Sequence, residues 1–498
     1  MSITQELFLG GRWVNGSSGQ WLNVVCPITE TPMGRAAVPT FRDIDTAVSA
    51  AREALDSGPW PRMSVDERGA YLRQVMQIFE EKYLDTAVAL QIDEMGAPEQ
   101  FTRFTTTAMT DVLEHLIADA VEMTFTETRR GVTGPVRVLR EPIGVAAAII
   151  SWEAPLLTAA TKLFPSLLMG CPMVLKTSPQ TPFSAYLLAQ AISDAGLPEG
   201  VVSIVPGMRE IGAYLISHPQ VDTVSFTGST AIGRSIASVC GHQLKPVSCE
   251  LGGKSAAILA RGVDVHAHLK TLIEHSLSNN GQLHMAATRL LVHASQADVL
   301  RDALIDALST MKIGDPHDPS TEFGPVVSGR QRDRVEAYIA SGKAQGATLA
   351  YGGRRPAHLP VGYYIEPAVF TGVTNDMAIA RDEIFGPVLS IIDYSTEAEA
   401  IRLANDTDYG LGGNVYADDP EHALHLAAQL HSGTCAINDA PFASGGGPFG
   451  GNRASDLGRH AGPEGLHRYL QVKSIALPKS WPVQKGSQDT NTMSSGCE

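Results

Sequence analysis

The chain has 498 residues, 44% of them hydrophobic, and a formal net charge of -15. That length exceeds what one hydrophobic core supports and predicts two or three domains of an ordinary globular protein. The acidic balance, with no run of Lys or Arg, argues against a nucleic-acid or anionic-membrane partner. The cysteines at 26, 171, 240, 249, 435 and 497 show no C-x-x-C or metal-ligand spacing, which predicts free thiols in a reducing, cytoplasmic setting and no metal. Residues 1–10 lack the basic and apolar regions of a signal peptide. The most apolar segment, 155–175, is broken by Lys162, Pro165 and Pro172, so no membrane span is expected.

In chain order, residues 8–16 alternate around glycines and predict a hairpin. Residues 43–55 and 64–107 repeat Ala, Leu, Arg and Glu at helical spacing, with Ser64 and Glu67 as a capping box. Residues 124–141 are β-branched and polar, a ribbon rather than a core strand. From Gly144, apolar runs at 145–150, 172–176, 201–205 and 221–226 are each followed by an Ala/Leu-rich helical stretch. That alternation predicts an α/β fold with a parallel sheet covered on both faces, Rossmann-like, with ligands at the strands' carboxyl ends. No G-x-G-x-x-G is present. Instead, the run ending at Phe226 leads into Thr227-Gly228-Ser229-Thr230 and a helix, a turn whose unpaired N–H groups favour phosphate. Glu250 precedes Gly252 and Gly253, which leave its carboxylate free to enter a cleft as a proton acceptor. His266, His268 and His275 read as surface histidines, since i and i+2 positions face different sides of a helix. Residues 472–478 read as a last strand and 479–498 as a disordered tail.

Phe226-Thr227-Gly228-Ser229-Thr230 followed by Glu250-Leu251-Gly252-Gly253-Lys254-Ser255 resembles the paired signatures of the aldehyde dehydrogenase superfamily. The resemblance extends to Glu383-Ile384-Phe385-Gly386-Pro387, Asp408-Tyr409-Gly410-Leu411 and Pro448-Phe449-Gly450-Gly451. It implies an α/β fold with a Rossmann-like NAD(P)-binding domain (1–122 and 142–252), an α/β catalytic domain (253–452), a small β oligomerisation arm (123–141 and 470–480) and a tail (481–498). The resemblance also implies a homodimer or homotetramer, since the matching hairpin builds an oligomer interface in that family. The implied cofactor residues are Trp152, Lys176, Ser178, Gly228, Ser229, Leu251, Glu383 and Phe385. Lys176 is matched to the adenosine ribose, Glu383 to the nicotinamide ribose and Phe385 to the nicotinamide itself. Pro179 stands where many members carry a glutamate, and proline can neither accept from a 2'-hydroxyl nor repel a 2'-phosphate, so NAD and NADP both remain open. Residues 444–447 read as a loop at the substrate mouth, and the apolar content of 101–116 and 440–447 points to a hydrophobic substrate.

Two positions depart from the family pattern. In Ser151-Trp152-Glu153-Ala154-Pro155, Glu153 replaces the asparagine that donates to the developing oxyanion, and an ionised carboxylate only accepts. In Asn280-Gly281-Gln282-Leu283-His284-Met285-Ala286, His284 replaces the cysteine whose thiolate forms the covalent adduct. Cys249 is no substitute, because it faces away from Glu250 in an extended segment. Lys162 matches the family's proton-relay lysine. The expectation is an NAD(P)-dependent oxidoreductase in which Glu250, His284, Glu153 and Lys162 move protons on an alcohol or aldehyde hydrate as hydride leaves. The alternative is an inactive relative that binds a dinucleotide or a partner.

Overall fold

The computed structural model describes residues 3–441 and 446–482. Five parallel strands form the heart of an eight-stranded sheet, in spatial order Val247–Glu250, Thr223–Thr227, Ala146–Ile149, Met173–Thr177 and Val202–Pro206. Antiparallel edges close it: Asp456–Leu457 on one side, the hairpin Leu7–Leu9 and Arg12–Val14 on the other. Every residue of the three middle strands is buried, which is why they read as continuous apolar runs rather than alternating ones. One apolar cluster around Phe164, Leu188 and Ile204 covers one face, and another around Val48, Val145 and Phe226 covers the other.

Strand order locates the cleft. Ala146–Ile149, the first of the five in the chain, lies between the second, Met173–Thr177, and the fourth, Thr223–Thr227. Connections therefore leave in opposite directions there, and a crevice opens beyond the carboxyl ends.

A second sheet of seven strands has the order Thr348–Tyr351, Ala368–Thr371, Val388–Tyr394, Arg289–His293, Ala256–Leu259, Gly412–Tyr416 and Thr434–Ile437, parallel except for the first. Its two faces carry their own apolar clusters. The ribbon Thr126–Arg130 and Pro135–Pro142 pairs with Leu470–Ala476 as a separate three-stranded sheet.

The helical stretch expected over 64–107 divides into Val65–Lys82, Leu84–Met95 and Glu99–Glu122. Gly96, at φ 77°, and Pro98 separate the last two, as left-handed glycine and proline do at helix ends. The Ser64 capping box is present: Glu67 N–H donates to Ser64 Oγ at 3.2 Å and Ser64 N–H to Glu67 Oε2 at 2.7 Å. A further sheet of Ile3–Gln5, Thr31–Ala37 and Trp21–Cys26 was not signalled by the sequence. Its middle strand carries Pro32 and Gly34, residues depleted in strands, and Gly34 is required because a Cβ there would meet Ile3 O at 2.7 Å.

No described helix is long and apolar enough to cross a membrane. The five described cysteines are free, and Cys497 lies outside the described residues. So do residues 444 and 445 of the expected mouth loop and 483–498 of the tail. Two expectations are corrected. His275 is half-buried, with Nδ1 2.8 Å from the Tyr416 hydroxyl, because its helix turns that face onto the second sheet. Met109, Leu113 and Leu116 are core residues, so the apolar face of Glu99–Glu122 is used for packing and says little about a substrate mouth.

Candidate active site

Three candidate site residues lie at or just beyond the carboxyl ends of adjacent strands in the first sheet. Thr223–Thr227 runs into Gly228, and Glu250 is the last residue of its own strand. Beyond Ala146–Ile149 the chain reaches Glu153, then Ala154 at φ 39° and ψ 55°, an uncommon conformation for alanine, before Pro155 opens the helix Pro155–Leu168. The second sheet presents the amino ends of its strands to this crevice. His284 precedes Arg289–His293, and Glu383 precedes Val388–Tyr394. The loop carrying His284 is pinned from below: Asn280 Nδ2 donates to Gly96 O and Pro325 O, both at 2.9 Å, and Gln282 Oε1 accepts from Val327 N at 2.9 Å.

Glu250 is held as an anion. Its Oε2 accepts from Lys162 Nζ at 2.7 Å and from Thr227 Oγ1 at 2.9 Å. Burial alone would raise this carboxyl, but its neighbours, Lys162 foremost and His284 among them, together outweigh burial and hold Glu250 well below the usual carboxylate range. Lys162, expected only on the resemblance and otherwise readable as a surface lysine, has no exposed surface. Behind it His460 accepts at Nδ1 from Lys162 Nζ at 3.0 Å and from Arg468 Nη1 at 3.1 Å. Burial, then the neighbouring Lys162 charge, keeps His460 well below the ordinary imidazole range, so it is a neutral acceptor.

His284 lies between two carboxylates. Its Nδ1 is 2.5 Å from Glu153 Oε1 and its Nε2 is 3.5 Å from Glu250 Oε1. Burial disfavours the charged ring, yet Glu153 and then Glu250 outweigh it and hold His284 well above the ordinary imidazole range. Burial pushes Glu153 up, so the close pair shares one proton. Two buried atoms here have no hydrogen-bond partner, Glu153 Oε2 and His284 Nε2. The Phe449 ring stands edge-on, 6.1 Å from the imidazole. Cys249 points into the apolar core with its thiol pushed up to about 12, as its extended position predicted.

The remaining predicted residues are placed as follows. Trp152 and Phe385 meet edge to face at 5.2 Å, with Phe385 at φ 60°. Glu383 is half-buried, accepts from Gly253 N at 3.1 Å, and is raised to about 7 by desolvation of its carboxyl. Gly252 admits it, since a Cβ there would lie 2.2 Å from Glu383 Oε2. Lys176 is buried, donates to Thr177 O at 3.2 Å, and is lowered to about 8 by burial. Ser178 donates to Gln180 Oε1 at 3.1 Å. Gly228 approaches the Phe226 ring so closely that a Cβ would meet it at 2.6 Å, and Ser229 begins the helix Thr230–His242 without capping it through its side chain. Leu251 packs in the core against Gly233. Among the described residues no cluster of His, Cys, Asp and Glu has the form of a metal site.

A family model described as the aldehyde dehydrogenase family matches residues 13–475. The chain belongs to the aldehyde dehydrogenase family. It is 39% identical over 475 residues to the geranial dehydrogenase of Castellaniella defragrans, covering 95% of this chain and 98% of that protein. It is likewise 39% identical over 477 residues to a 3-succinoylsemialdehyde-pyridine dehydrogenase of a Pseudomonas species, again covering 95% and 98%. Among solved structures, a Mycobacterium tuberculosis aldehyde dehydrogenase complexed with NAD+ superposes with a TM-score of 0.94 at 40% identity, covering 97% of this chain and all of that one.

In this member of the aldehyde dehydrogenase family, Glu153, His284, Glu250, Lys162, His460 and Arg468 form one continuous chain of polar contacts. Sequence reasoning missed Thr227 as a ligand of Glu250 and missed His460 and Arg468 altogether. No signal marked them. They lie 298 and 306 residues beyond Lys162 in the chain, and only the return of Asp456–Leu457 to the first sheet brings them back.

Proposed function

We propose that this protein is an NAD(P)-dependent oxidoreductase that acts on an aldehyde or alcohol with an apolar body, without a covalent cysteine adduct. The observation that carries the reading is His284, half-buried between Glu153 and Glu250 in the place where the resembled family has its nucleophile. The crevice suits a dinucleotide. Gly228 and Ser229 would face the pyrophosphate, Lys176 the adenosine ribose, Glu383 the nicotinamide ribose, and Trp152 with Phe385 the nicotinamide. The uncapped helix start at Ser229 and the half-buried Glu383, with Gly253 N as its one backbone donor, suit such a ligand. Complexes of relatives with NAD+ support the choice of cofactor class.

The nicotinamide supplies the hydride acceptor. Glu250, ionised and anchored by Lys162 and Thr227, takes the substrate's hydroxyl proton. His284 keeps its proton on the strength of both carboxylates and donates from Nε2 to the substrate oxygen. Phe449, edge-on to the imidazole, excludes water there and faces the apolar body. Residues 1–122 with 142–252 serve as the dinucleotide-binding domain and 253–452 as the catalytic domain. Strand Leu470–Ala476, whose Val472 is 66% exposed on a free sheet edge, offers the surface for a second copy.

Two measurements test this reading. The wild type is expected to reduce NAD or NADP with an apolar aldehyde or alcohol, followed by absorbance, and His284→Ala to lose at least about 100-fold in kcat. A wild type that binds cofactor but never reduces it, beside a His284→Cys variant that does, would show a dormant scaffold instead. Cofactor affinity should also rise with pH, because Glu383 is raised to about 7 and accepts best as a carboxylate. Below that pH the gain is up to about tenfold per unit, it levels off above, and Glu383→Gln abolishes it in a calorimetric titration.

A further inference from the structure

The unsatisfied atoms around His284 constrain the form in which the substrate binds. Glu153 Oε2 is buried and can only accept when the pair's proton lies towards the ring. Glu250 Oε1 has its nearest donor, His284 Nε2, at 3.5 Å, beyond a good hydrogen bond. With the ring held in its charged form, His284 Nε2 is a donor, and it makes no hydrogen bond within the protein. Around His284 the side chains therefore leave two acceptors and one donor without a hydrogen-bond partner. A free carbonyl oxygen only accepts, so it answers Nε2–H, leaves both carboxylate oxygens unpaired and brings its own negative end beside them. An alcohol answers one carboxylate and leaves the other. A geminal diol has two O–H donors and ample lone pairs, and answers all three.

We propose, on the reading of the site as a non-covalent oxidoreductase, that its substrate is the hydrate of an apolar aldehyde rather than the free aldehyde or an alcohol. One hydroxyl donates to Glu250 Oε1, the other to Glu153 Oε2, and His284 Nε2–H steadies the first oxygen. The first O–H bond breaks with its proton passing to Glu250. Its electron pair forms the C=O bond as the C–H bond breaks, and a bound nicotinamide would be the acceptor of the hydrogen and that bonding pair. The second hydroxyl stays on carbon, so the product is the carboxylic acid, with reduced nicotinamide and one proton. Water enters before oxidation, which explains how an acid forms here without a thioester to hydrolyse. The acid then ionises beside two carboxylates, and like-charge repulsion favours its release.

Butanal tests the inference, since both its free and hydrated forms are populated in water. In cofactor-free protein, carbon NMR of butanal labelled at the carbonyl carbon should show the bound species as the geminal diol, with broadening of the diol signal alone. Glu153→Gln should weaken that binding by about tenfold or more. Broadening of the carbonyl signal, or equal binding of butanol, would overturn the proposal. In the complete enzyme, butanal added from dry acetonitrile should give a lag that follows its hydration and disappears when the aldehyde is first equilibrated in water. An initial burst instead would overturn it. If no cofactor is reduced with any form, the oxidoreductase reading fails while the NMR result still decides which form the site holds.

Discussion

Glu250→Gln is expected to abolish most of the oxidation rate, by a factor on the order of 100 to 10,000, while cofactor binding in the same variant stays within about twofold. The amide keeps the shape of the side chain and can still accept from Lys162 Nζ, now 2.7 Å from Oε2, and from Thr227 Oγ1. It cannot take a proton. Single-turnover measurements of cofactor reduction beside calorimetric binding separate the two effects, and a variant that keeps wild-type kcat would remove Glu250 from the chemistry. Because its neighbours, Lys162 foremost, hold Glu250 well below the usual carboxylate range, this residue should also impose no loss of wild-type rate until the pH has fallen well under about 4.5.

Lys162→Met should cost about 3–5 kcal/mol of stability near neutral pH, because it leaves Glu250 as a buried charge without its counter-ion. Lys162 has no exposed surface and Glu250 is buried, so solvent does not screen the loss. The sign with pH follows from the protons. In the wild type, Glu250 is depressed on folding, so its contribution is present above the unfolded carboxylate value of 4.5 and fades as the pH falls through its folded value. In the variant, Glu250 takes up a proton at a higher pH and ceases to be an unpaired charge. The stability gap between the two proteins should therefore narrow as the medium becomes more acid, read from denaturation curves followed by tryptophan fluorescence. A gap that is constant with pH would mean that the lysine acts only through packing.

The parallel sheet was legible in the sequence because its strands are buried on both faces and hence written as unbroken apolar runs. The observed Ala146–Ile149, Met173–Thr177, Val202–Pro206 and Thr223–Thr227 lie within two residues of where those runs placed them. The sheet of residues 3–37 was not legible, since short half-exposed strands with Pro32 and Gly34 carry no such pattern. Within the site, Glu250 and Gly228 announced themselves through glycine-rich turns at strand ends, and His284 and Glu153 through their departure from a recognised pattern. His460 and Arg468 did neither.

Sequence alone determined which groups this protein has for its chemistry: a carboxylate at a strand end, a histidine where the family's thiolate would be, and a second carboxylate in place of an amide. Their charges were left undecided, because ionisation inside a protein depends on neighbours distant in the chain and on burial, neither of which a linear order contains. Tertiary structure decided that Lys162 neutralises Glu250, that His460 is a neutral acceptor behind it, and that His284 shares its proton with Glu153 across 2.5 Å. Those assignments come from the meeting of one sheet's carboxyl ends with the other's amino ends, the contact that turns separate residues into one titrating unit.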